Sequence, residues 1–469
     1  MDPLPHVIIF PFPAQGHVNS MLKLAHLVSL SNFDVTFLVT VDTHDRLLNH
    51  TDVLSRFGCG FHLQALPHGI SMDVMNTRDG IFILYNSLNQ IAKPFLREFI
   101  VNMNSPVTCL IADGILSMAG DVAQEINLPL IYFRTISACA FWSYFCIPHL
   151  IQARQLPLKE NAMDLTLTKV KGMENFLRGR DLPSFCRASD LTSPDFRIVM
   201  TETLQTPRAR GLILNTFEDL EGPILSQIRT VCPNVYTIGA VHAHLKTRIA
   251  TKSTSSNSLW QEDESCITWL DTQPSKSVIY VSFGSIAGLT KEELLEFWYG
   301  LVNSEQKFLW VMRPDLIIGQ ERKDEIPVEL EQGTKARGYM ADWIPQEKVL
   351  AHRAIGGFLT HSGWNSTLES IVEGVPMICW PRFADQQVNS RFVGEVWKMG
   401  LDIKDTCDRD IIAKSVRDLM DKRNGEFSER TEHMASLAKK AVNEGGSSYI
   451  NLDRLIQDIR SMIPPHKQT

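Results

Sequence analysis

The chain has 469 residues, of which 44% are hydrophobic and 21% charged, and these ordinary globular proportions exclude collagen-like and wholly disordered proteins. Its length predicts about two or three domains. Lysine and arginine number 46 against 53 acidic residues, giving a net charge of -7. Because the sequence also lacks a basic stripe, we expect neither a nucleic-acid partner nor binding to an acidic membrane surface.

The cysteines and the apolar segments bear on the compartment. The nine cysteines are scattered, odd in number and without a C-x-x-C pair, which favours free thiols over a disulfide framework or a zinc site. The opening MDPLPHVIIFPF lacks the features of a secretory signal. The longest apolar stretch, residues 135–148, is shorter than the roughly 20 residues of a membrane span and is better explained as a buried helix. We expect a cytoplasmic protein without stable membrane insertion.

In chain order, short β-rich runs alternate with helical patterns. In the first half the predicted strands are residues 6–12, 34–39, 61–66, 107–113, 128–135, 211–216 and 235–240. Helices are predicted near 17–30 and 117–126 and over the apolar stretch. Continuous runs of valine, isoleucine and leucine, each followed by a helix, are typical of a parallel sheet built from βα units.

A polar segment then separates this half from a second alternating region. HLKTRIATKSTSSNSLWQ, residues 244–261, has the composition of a linker. Strands are predicted at 277–285, 307–314, 355–361 and 376–381, with a helix over 290–303 for which Thr290 is the predicted N-cap. The fold class is therefore α/β, with two doubly wound, Rossmann-like domains facing each other across a cleft. Ligands in such sheets bind beyond the carboxyl ends of the strands.

Two residues at predicted strand ends are candidates for catalysis. His17 follows the loop after the first strand and begins a helix, whose dipole favours the neutral imidazole that a general base needs. Asp113 ends the apolar strand CLIAD, where a carboxylate is costly without a partner. If the sheet places these strands side by side, Asp113 can accept a hydrogen bond from His17 and strengthen the base. Simple helix capping is the alternative for each residue.

The most specific stretch begins at Trp343 and reads WIPQEKVLAHRAIGGFLTHSGWNSTLESIVEGVPMICWPRFADQQ. Backbone N–H groups at the start of the helix TLESIVEG form an anion site, large enough with side-chain donors for a diphosphate. Polar and aromatic side chains that would complete a nucleotide-sugar site are Trp343, His361, Asn365, Ser366, Glu369, Asp385 and Gln386. The loop after the first strand has no G-x-G-x-x-G pattern, so a dehydrogenase has little support.

This stretch resembles the signature box of plant family-1 UDP-glycosyltransferases, with W-x-P-Q at its start, H-S-G-W-N-S-x-x-E in its middle and D-Q at its end. PFPAQGHVN, LIAD, LWQEDESCITWLD and VIYVSFGS occur in order, so the resemblance covers essentially the whole chain. It implies a GT-B fold and an inverting mechanism. The implied domains are an acceptor-binding domain at 1–243, a linker at 244–262, a UDP-sugar-binding domain at 263–446 and a C-terminal helix at 447–469 packing back on the first domain.

The resemblance also assigns roles. It implies that Trp343 stacks on uracil, that Gln346 lies near the base and ribose, and that Glu369 accepts from the ribose. The implied diphosphate donors are His361, Asn365, Ser366 and Ser285. The implied sugar site consists of Thr135, Trp364, Asp385 and Gln386, and the implied catalytic pair is His17 and Asp113. Glutamine at 386 is associated with UDP-glucose, and no metal or other cofactor is expected.

The sequence departs from the family pattern at Ser20, where proline is usual, at Arg382, where an aromatic residue is usual, and at Arg134, where tryptophan or a similar residue is frequent. A buried Arg134 must find an anion. One alternative is a protein carboxylate or backbone carbonyls. The other is a carboxylate on the acceptor, which the guanidinium would bind in a fork.

The apolar helix ACAFWSYFCIPHLI suggests a hydrophobic small-molecule acceptor, with contacts predicted from Arg134, Phe141 and Trp142. FRTISACAFW and MENFLRGRDLPSFCR resemble the branch that glucosylates iridoids and other small terpenoids, such as the 7-deoxyloganetic acid glucosyltransferases. Flavonoid or phenolic acceptors are the alternative within the same class. We expect a monomer whose partners are the acceptor and the UDP-sugar.

Three other classes are weaker. A non-catalytic nucleotide-sugar binding protein would have no use for both His17 and Asp113. A metal-dependent glycosyltransferase with a D-x-D motif would need the string at 408–410, where Asp408 is better explained as a helix cap. A serine hydrolase would need a G-x-S-x-G elbow, which the sequence lacks.

Overall fold

The computed structural model describes residues 4–57, 60–67, 80–187, 190–249, 258–286, 288–314, 316 and 327–462. The chain forms two compact units, the first from Met1–Leu259 and Ala438–Thr469 and the second from Trp260–Leu437. Part of the predicted linker (250–257), the end of the predicted C-terminal segment (463–469) and Cys59 lie outside the described residues.

The elements of the first unit alternate as predicted. Its described strands are β1 His6–Phe10, β2 Asp34–Thr40, β3 Phe61–Leu66, β4 Val107–Asp113, β5 Leu130–Arg134, β6 Gly211–Leu214 and β7 Val235–Thr237. Its described α-helices are α1 Gln15–Ser29, α2 Val41–His50, α3 Val53–Phe57, α4 Gly80–Ser87, α5 Lys93–Val101, α6 Ser117–Glu125, α7 Ala138–Phe145, α8 Ile147–Gln152, α9 Pro194–Leu204, α10 Glu218–Ile228 and α11 Val241–Arg248.

The second unit repeats the alternation. Its described strands are β8 Val278–Ser282, β9 Lys307–Val311, β10 Gly338–Ala341, β11 Ile355–Thr360, β12 Met377–Cys379 and β13 Gly400–Asp402. Its described α-helices are α12 Ser265–Asp271, α13 Lys291–Asn303, α14 Val328–Arg337, α15 Gln346–Leu350, α16 Trp364–Glu373, α17 Gln386–Arg391 and α18 Arg409–Arg417. The chain then returns to the first unit through α19 Asn424–Val442 and ends in α20 Ser447–Arg460. Short 3-10 or π turns lie at 88–92, 160–162, 179–181, 184–186, 206–208, 392–396 and 418–422.

The sheet of the first unit is parallel, in the order β3-β2-β1-β4-β5-β6-β7. β1 and β4 are neighbours, with Phe10 opposite Ala112 at their carboxyl ends. Every residue of β1 is buried, as expected for a central parallel strand covered on both faces. β1 ends two residues earlier than predicted because Pro11 has no N–H to donate to the ladder.

The sheet of the second unit is also parallel, in the order β10-β9-β8-β11-β12-β13. Its core contains the aromatic side chains of Phe283, Phe297 and Trp380, which meet edge to face. The prediction that Thr290 caps α13 is confirmed. Thr290 accepts from the N–H of Glu293, and Glu293 accepts from the N–H of Thr290, forming a reciprocal capping box.

Helix α11 corrects the predicted start of the linker. Residues 244–248, placed in the linker by their polar composition, are helical. His244 is buried, donates through Nδ1 to the carbonyl of Ile238 at 3.1 Å and stacks on Tyr449 at 6.2 Å between ring centroids. The local composition contains no sign of this burial, because the residue that His244 stacks on lies in α20.

Helix α20 packs on the last strand of the first sheet. Tyr236, in β7, donates to Asp458 at 2.6 Å, and Arg454 lies over the Tyr236 ring at 4.5 Å. Asn451 donates to the Thr237 hydroxyl at 3.0 Å, and Ser448 donates to the carbonyl of Gly239. Strand β7 is thus covered by a helix from the far end of the chain.

Two searches of the described residues bear on compartment and cofactor. None of the described helices is long and apolar enough to cross a bilayer. No group of three or more histidine, cysteine, aspartate or glutamate side chains in the described part of the chain is arranged to hold a metal ion. The cysteines in the same residues are free thiols.

Candidate active site

The first cluster joins the carboxyl ends of β1 and β4. His17, in the first turn of α1, places Nδ1 2.6 Å from Oδ2 of Asp113, the last residue of β4. Asp113 is fully buried and also accepts from the N–H groups of Phe12 at 3.2 Å and Ile115 at 3.3 Å. Neither His17 nor Asp113 caps a helix, because α1 and α6 begin without a side-chain cap. The pair is held by three hydrogen bonds to one carboxylate.

The same ring nitrogen faces a third group. The hydroxyl of Thr135, just beyond β5, lies 3.0 Å from Nδ1 of His17. Since Nδ1 faces a carboxylate, it carries the ring proton, and Nε2 keeps the lone pair. A quarter of the His17 side chain is exposed, whereas its aspartate partner is not. This arrangement supplies an oriented, solvent-reachable base backed by a buried negative charge.

Arg134 belongs to a buried network behind this cluster. Its guanidinium donates to the backbone carbonyl of Glu202 and, at 3.2 Å, to the hydroxyl of Thr206. The Glu202 carboxylate accepts from the N–H of Ser117 at 2.8 Å and from the Tyr85 hydroxyl. Burial lowers the pKa of Arg134 and raises that of Glu202, while the attraction between their charges opposes both shifts. The internal counter-charge, the first of the two alternatives for Arg134, is the one the structure shows.

The other two predicted acceptor residues lie on α7 and are buried. Phe141 is packed beneath the guanidinium of Arg134, 5.4 Å from its carbon. Trp142 donates through Nε1 to the carbonyl of Lys171 at 2.7 Å and stacks on Phe145. Their contact with an acceptor stays a prediction.

In the second unit, the imidazole of His361 follows β11 and lies between two glycines. A Cβ on Gly284 or Gly363 would collide with its Nε2 atom. Gly284 also has φ of +78°, in the left-handed region that glycine adopts readily. Burial, followed by the nearby charge of Arg313, lowers the pKa of His361 to about 4. The ring is therefore neutral near pH 7 and is held in one orientation.

Arg313 is a site residue that the sequence interpretation missed. It follows β9, is buried, and donates to the backbone carbonyl of Ser285, which lies in the turn after β8. It thereby supports the turn that carries a predicted phosphate donor. An arginine after the apolar run KFLWVM was the available signal, because a cation at the carboxyl end of a central strand is as costly as a carboxylate there.

The predicted base and ribose residues form a second cluster in the same unit. Gln346, at the start of α15, donates to Ser366 at 2.9 Å and to Glu369 at 2.6 Å, and accepts from the Tyr280 hydroxyl at 3.0 Å. Ser366 and Glu369 share a face of α16, whose N-cap is a glycine without a side chain to satisfy the first N–H groups. Trp343 lies 6.1 Å from Trp260, ring to ring. Three predicted nucleotide contacts are therefore hydrogen-bonded to one another.

The predicted sugar residues gather at the start of α17. Asp385 and Gln386 are buried, and Asn389, one turn on, donates to Asp385 at 2.8 Å and to the carbonyl of Ser362 at 2.9 Å. Asn389, also missed from sequence, ties the sugar end to the turn before α16. Of the remaining predicted residues, Trp364 is buried beside Trp397, and Asn365, next along α16, is half-buried.

The D-x-D string has a structural explanation. Asp408 accepts from the N–H groups of Asp410 and Ile411, each at 3.0 Å, and caps α18 as predicted. Arg409 pairs with Glu296 of α13.

Comparison with known proteins places this geometry in a family. The family model described as UDP-glucoronosyl and UDP-glucosyl transferase matches residues 99–429. The 7-deoxyloganetic acid glucosyltransferase of Catharanthus roseus is 58% identical, with 98% of each chain covered. The myricetin 3-O-rhamnoside 1,2-glucosyltransferase of Crocosmia x crocosmiiflora is 43% identical over 98% of this chain and 97% of its own.

Solved structures agree. The crystal structure of Os79 from O. sativa with UDP matches with a TM-score of 0.82 and 27% identity, covering 97% of this chain and 100% of that chain. The predicted GT-B fold is confirmed by this similarity, and the predicted enzyme class by the family match. The chain belongs to the UDP-glycosyltransferase family and is a glucosyltransferase within it.

Proposed function

We propose that the enzyme transfers glucose from UDP-glucose, with inversion, to a hydroxyl group of an iridoid or related terpenoid acid, and that 7-deoxyloganetic acid is the first acceptor to test. The observation that carries the chemistry is the 2.6 Å contact between His17 Nδ1 and Asp113, which leaves Nε2 as the base. The Catharanthus relative, 58% identical along nearly the whole of both chains, supports the acceptor class.

In the proposed reaction, His17 Nε2 takes the proton of the acceptor hydroxyl as its oxygen attacks the anomeric carbon from the face opposite UDP. A bond forms between this oxygen and the anomeric carbon, and the bond from that carbon to the diphosphate oxygen breaks. Asp113 stabilises the imidazolium, which lies within hydrogen-bond distance. Positioned general-base catalysis contributes roughly 10²–10⁴-fold, with orientation and electrostatics supplying the rest.

The proposed donor site lies in the second unit. The free N–H groups at the start of α16, with Ser285, His361, Asn365 and Ser366, would bind the diphosphate. The linked side chains of Gln346 and Glu369 would bind the ribose, and Trp343 the uracil. Asp385, Gln386 and Trp364 would bind the sugar, joined by Thr135 from the first unit. Pre-formed hydrogen bonds among these side chains support the proposal because an ordered site loses less entropy on binding.

Two further properties belong to the proposal. Turnover needs no metal ion, since α16 and the side chains around it supply the stabilisation of the departing diphosphate. The enzyme works as a cytoplasmic monomer, which the free thiols of the described cysteines support because thiols stay reduced in the cytosol.

Flavonoid acceptors are the second candidate. The observation that favours them is the 43% identity to the Crocosmia enzyme, whose name records a flavonoid glycoside as substrate. A hydroxyl of either acceptor class would meet the same base, so the two candidates differ in the acceptor pocket alone.

The catalytic pair is tested by substitution. His17→Ala should reduce kcat by at least about 10²-fold, because it removes the base, while Kd for UDP changes less than twofold. Asp113→Asn should cost less, since it orients the base and receives no proton. Turnover is measured by mass spectrometry of the glucoside and UDP binding by calorimetry. Activity of His17→Ala within tenfold of the parent would remove His17 from the base role.

The substrates are tested with a matched panel. We expect the highest kcat/KM with UDP-glucose and 7-deoxyloganetic acid, a lower value with flavonols, and a preference over UDP-galactose of tens-fold, as one amide donor-acceptor pair contributes about 1–2 kcal/mol. EDTA should leave turnover unchanged. Faster turnover of a flavonol would favour the second candidate, and loss of activity in EDTA would contradict the metal-independent mechanism.

A further inference from the structure

The loop between β12 and α17, residues 380–385, carries an arginine where the family usually has an aromatic residue. The Arg382 side chain is about a quarter exposed and pairs with Glu293 of α13 at 2.6 Å. Its guanidinium carbon also lies 4.5 Å from the ring centre of Trp380. Trp380 is itself fixed, because it is buried in the core and donates to the carbonyl of Thr406 at 2.8 Å. The loop is thus fastened to α13 through one ion pair and to the core through one ring face.

The backbone of the same loop holds the side chain of Gln386. The N–H of Arg382 donates to Oε1 of Gln386 at 2.8 Å, and the N–H of Phe383 donates to the same oxygen at 3.1 Å. Rotating the amide by 180° would set its NH₂ group against two N–H donors, so the oxygen must face the loop. Nε2, with its two hydrogens, is directed away from the loop. The loop therefore determines which end of the amide is presented to a ligand.

The side chain of Glu293 serves both the loop and its own helix. Oε1 accepts from Arg382, whereas Oε2 accepts from the N–H of Thr290 in the capping box of α13. The carboxylate is held from two sides and is about four-fifths buried. An ion pair that is partly shielded from water and held by other hydrogen bonds is worth more than an exposed one.

We propose that Arg382 is a positioning residue for the donor sugar. Its pairing with Glu293 fixes the loop N–H groups that orient the amide of Gln386, so that Nε2 is presented as a donor to a sugar hydroxyl. The inference rests on the proposed sugar-binding role of Gln386. Arg382 acts through the loop, touches no reacting atom, and adds an electrostatic fastening at a position where the family usually has an aromatic ring.

The substitutions follow from the contacts. Glu293→Gln removes the charge and keeps the capping box, since glutamine serves at this position of the motif. Arg382→Gln removes the cation, and Arg382→Lys keeps the charge without the planar fork. The matched control is Glu296→Gln, three residues along the same helix. Glu296 pairs with Arg409 at 3.0 Å, and Arg409 lies 4.0 Å above the ring of Tyr299, but neither contacts the loop.

The readouts separate the sugar from the nucleotide. We expect Arg382→Gln and Glu293→Gln each to raise KM for UDP-glucose about fivefold and to reduce the preference for glucose over galactose by a similar factor, consistent with coupling between contacting residues. Kd for UDP, which has no sugar, should change less than twofold. The double variant should be no worse than either single one, Arg382→Lys should recover part of the loss, and Glu296→Gln should match the parent in KM.

Two outcomes would overturn the proposal. If Gln386→Ala raises KM for UDP-glucose while both pair variants leave it within twofold of the parent, the sugar site stands and Arg382 has no part in it. If Gln386→Ala also leaves KM unchanged, the proposed sugar site fails and this inference fails with it. Melting temperatures of all variants show whether each is folded, and an equal loss of UDP affinity would point to general disruption of the unit instead.

Discussion

Arg134 shows how a buried charge finds its partner inside the protein. Its side chain runs past Gly114, where a Cβ would lie 2.5 Å from the Arg134 Cδ atom, and reaches Glu202 on α9. Glycine after Asp113 therefore leaves room for the guanidinium directly behind the proposed catalytic pair. An acceptor carboxylate would have to compete with Glu202 and the hydroxyl of Thr206 for the same group.

We accordingly expect Arg134→Gln to lower kcat/KM equally for an acidic acceptor and for its neutral methyl ester. The same change should reduce the free energy of unfolding by about 3–5 kcal/mol, because it leaves Glu202 buried without its counter-charge. Urea denaturation and paired acceptor kinetics measure the two effects. Arg180→Gln is the control, since Arg180 pairs with the exposed carboxylate of Asp164 and should cost under about 1 kcal/mol. A loss confined to the acidic acceptor would restore the acceptor-binding role.

At the scale of elements, the turn after β8 and the start of α16 hold one imidazole between them. Gly363 has φ of -59° and ψ of 144°, which any residue adopts, so alanine there adds a side chain without backbone strain. Its Cβ would lie 2.5 Å from Nε2 of His361 and must displace the ring. Gly284, on the opposite side, adds the cost of a left-handed backbone to the same collision.

Gly363→Ala should therefore weaken UDP binding about tenfold, within the roughly 1–3 kcal/mol that overpacking costs, and Gly284→Ala should weaken it further. Calorimetric titration with UDP measures both. Gly425→Ala, on α19 with no atom within 4 Å of the added Cβ, is the control and should bind UDP like the parent. UDP affinity of Gly363→Ala within twofold of the parent would show that the position of His361 does not matter for the diphosphate.

Across the whole molecule, three histidines have the same electrostatic character. Burial is the largest cause that lowers the pKa of His26, His244 and His361, each to about 4. The unfolded chain binds protons at these positions near the ordinary pKa of about 6.5, whereas the folded chain does not. Unfolding therefore takes up protons between about pH 6.5 and 4, and stability must rise with pH across that window.

His244 tests this linkage away from the proposed site. His244→Gln should be less stable than the parent at pH 7, because it loses the stacking on Tyr449, but should lose less stability between pH 7 and 4. The difference in slope should amount to at most about 3 kcal/mol at pH 4, at about 1.36 kcal/mol per pKa unit. Urea midpoints at several pH values measure it, with His433→Gln, exposed on α19, as the control. Parallel pH curves for His244→Gln and the parent would contradict the assignment.

Local patterns predicted the parts of the fold that local patterns determine. Buried strand interiors such as β3 and β4 were predicted to the residue, and parallel order alone brought His17 and Asp113 together. The strands β10 and β13 were missed, because they are short edge strands with little β-branched character. Contacts between residues far apart in the chain leave no local signal. The nearest examples are Arg134 with Glu202, 68 residues away, and Arg382 with Glu293, 89 residues away.

The return of the chain to its first unit has a consequence for biosynthesis. The partners of β7 on α20 are made more than 200 residues after the strand itself, since Tyr236 waits for Asp458 and Gly239 for Ser448. At about 5–20 residues per second, a ribosome needs roughly 10–40 s to translate that interval. During this time the nascent first sheet ends in an edge strand without its covering helix, and such edges invite intermolecular pairing. The first unit to leave the ribosome is thus the last to be completed, and a chaperone that shields β7 would act in that interval.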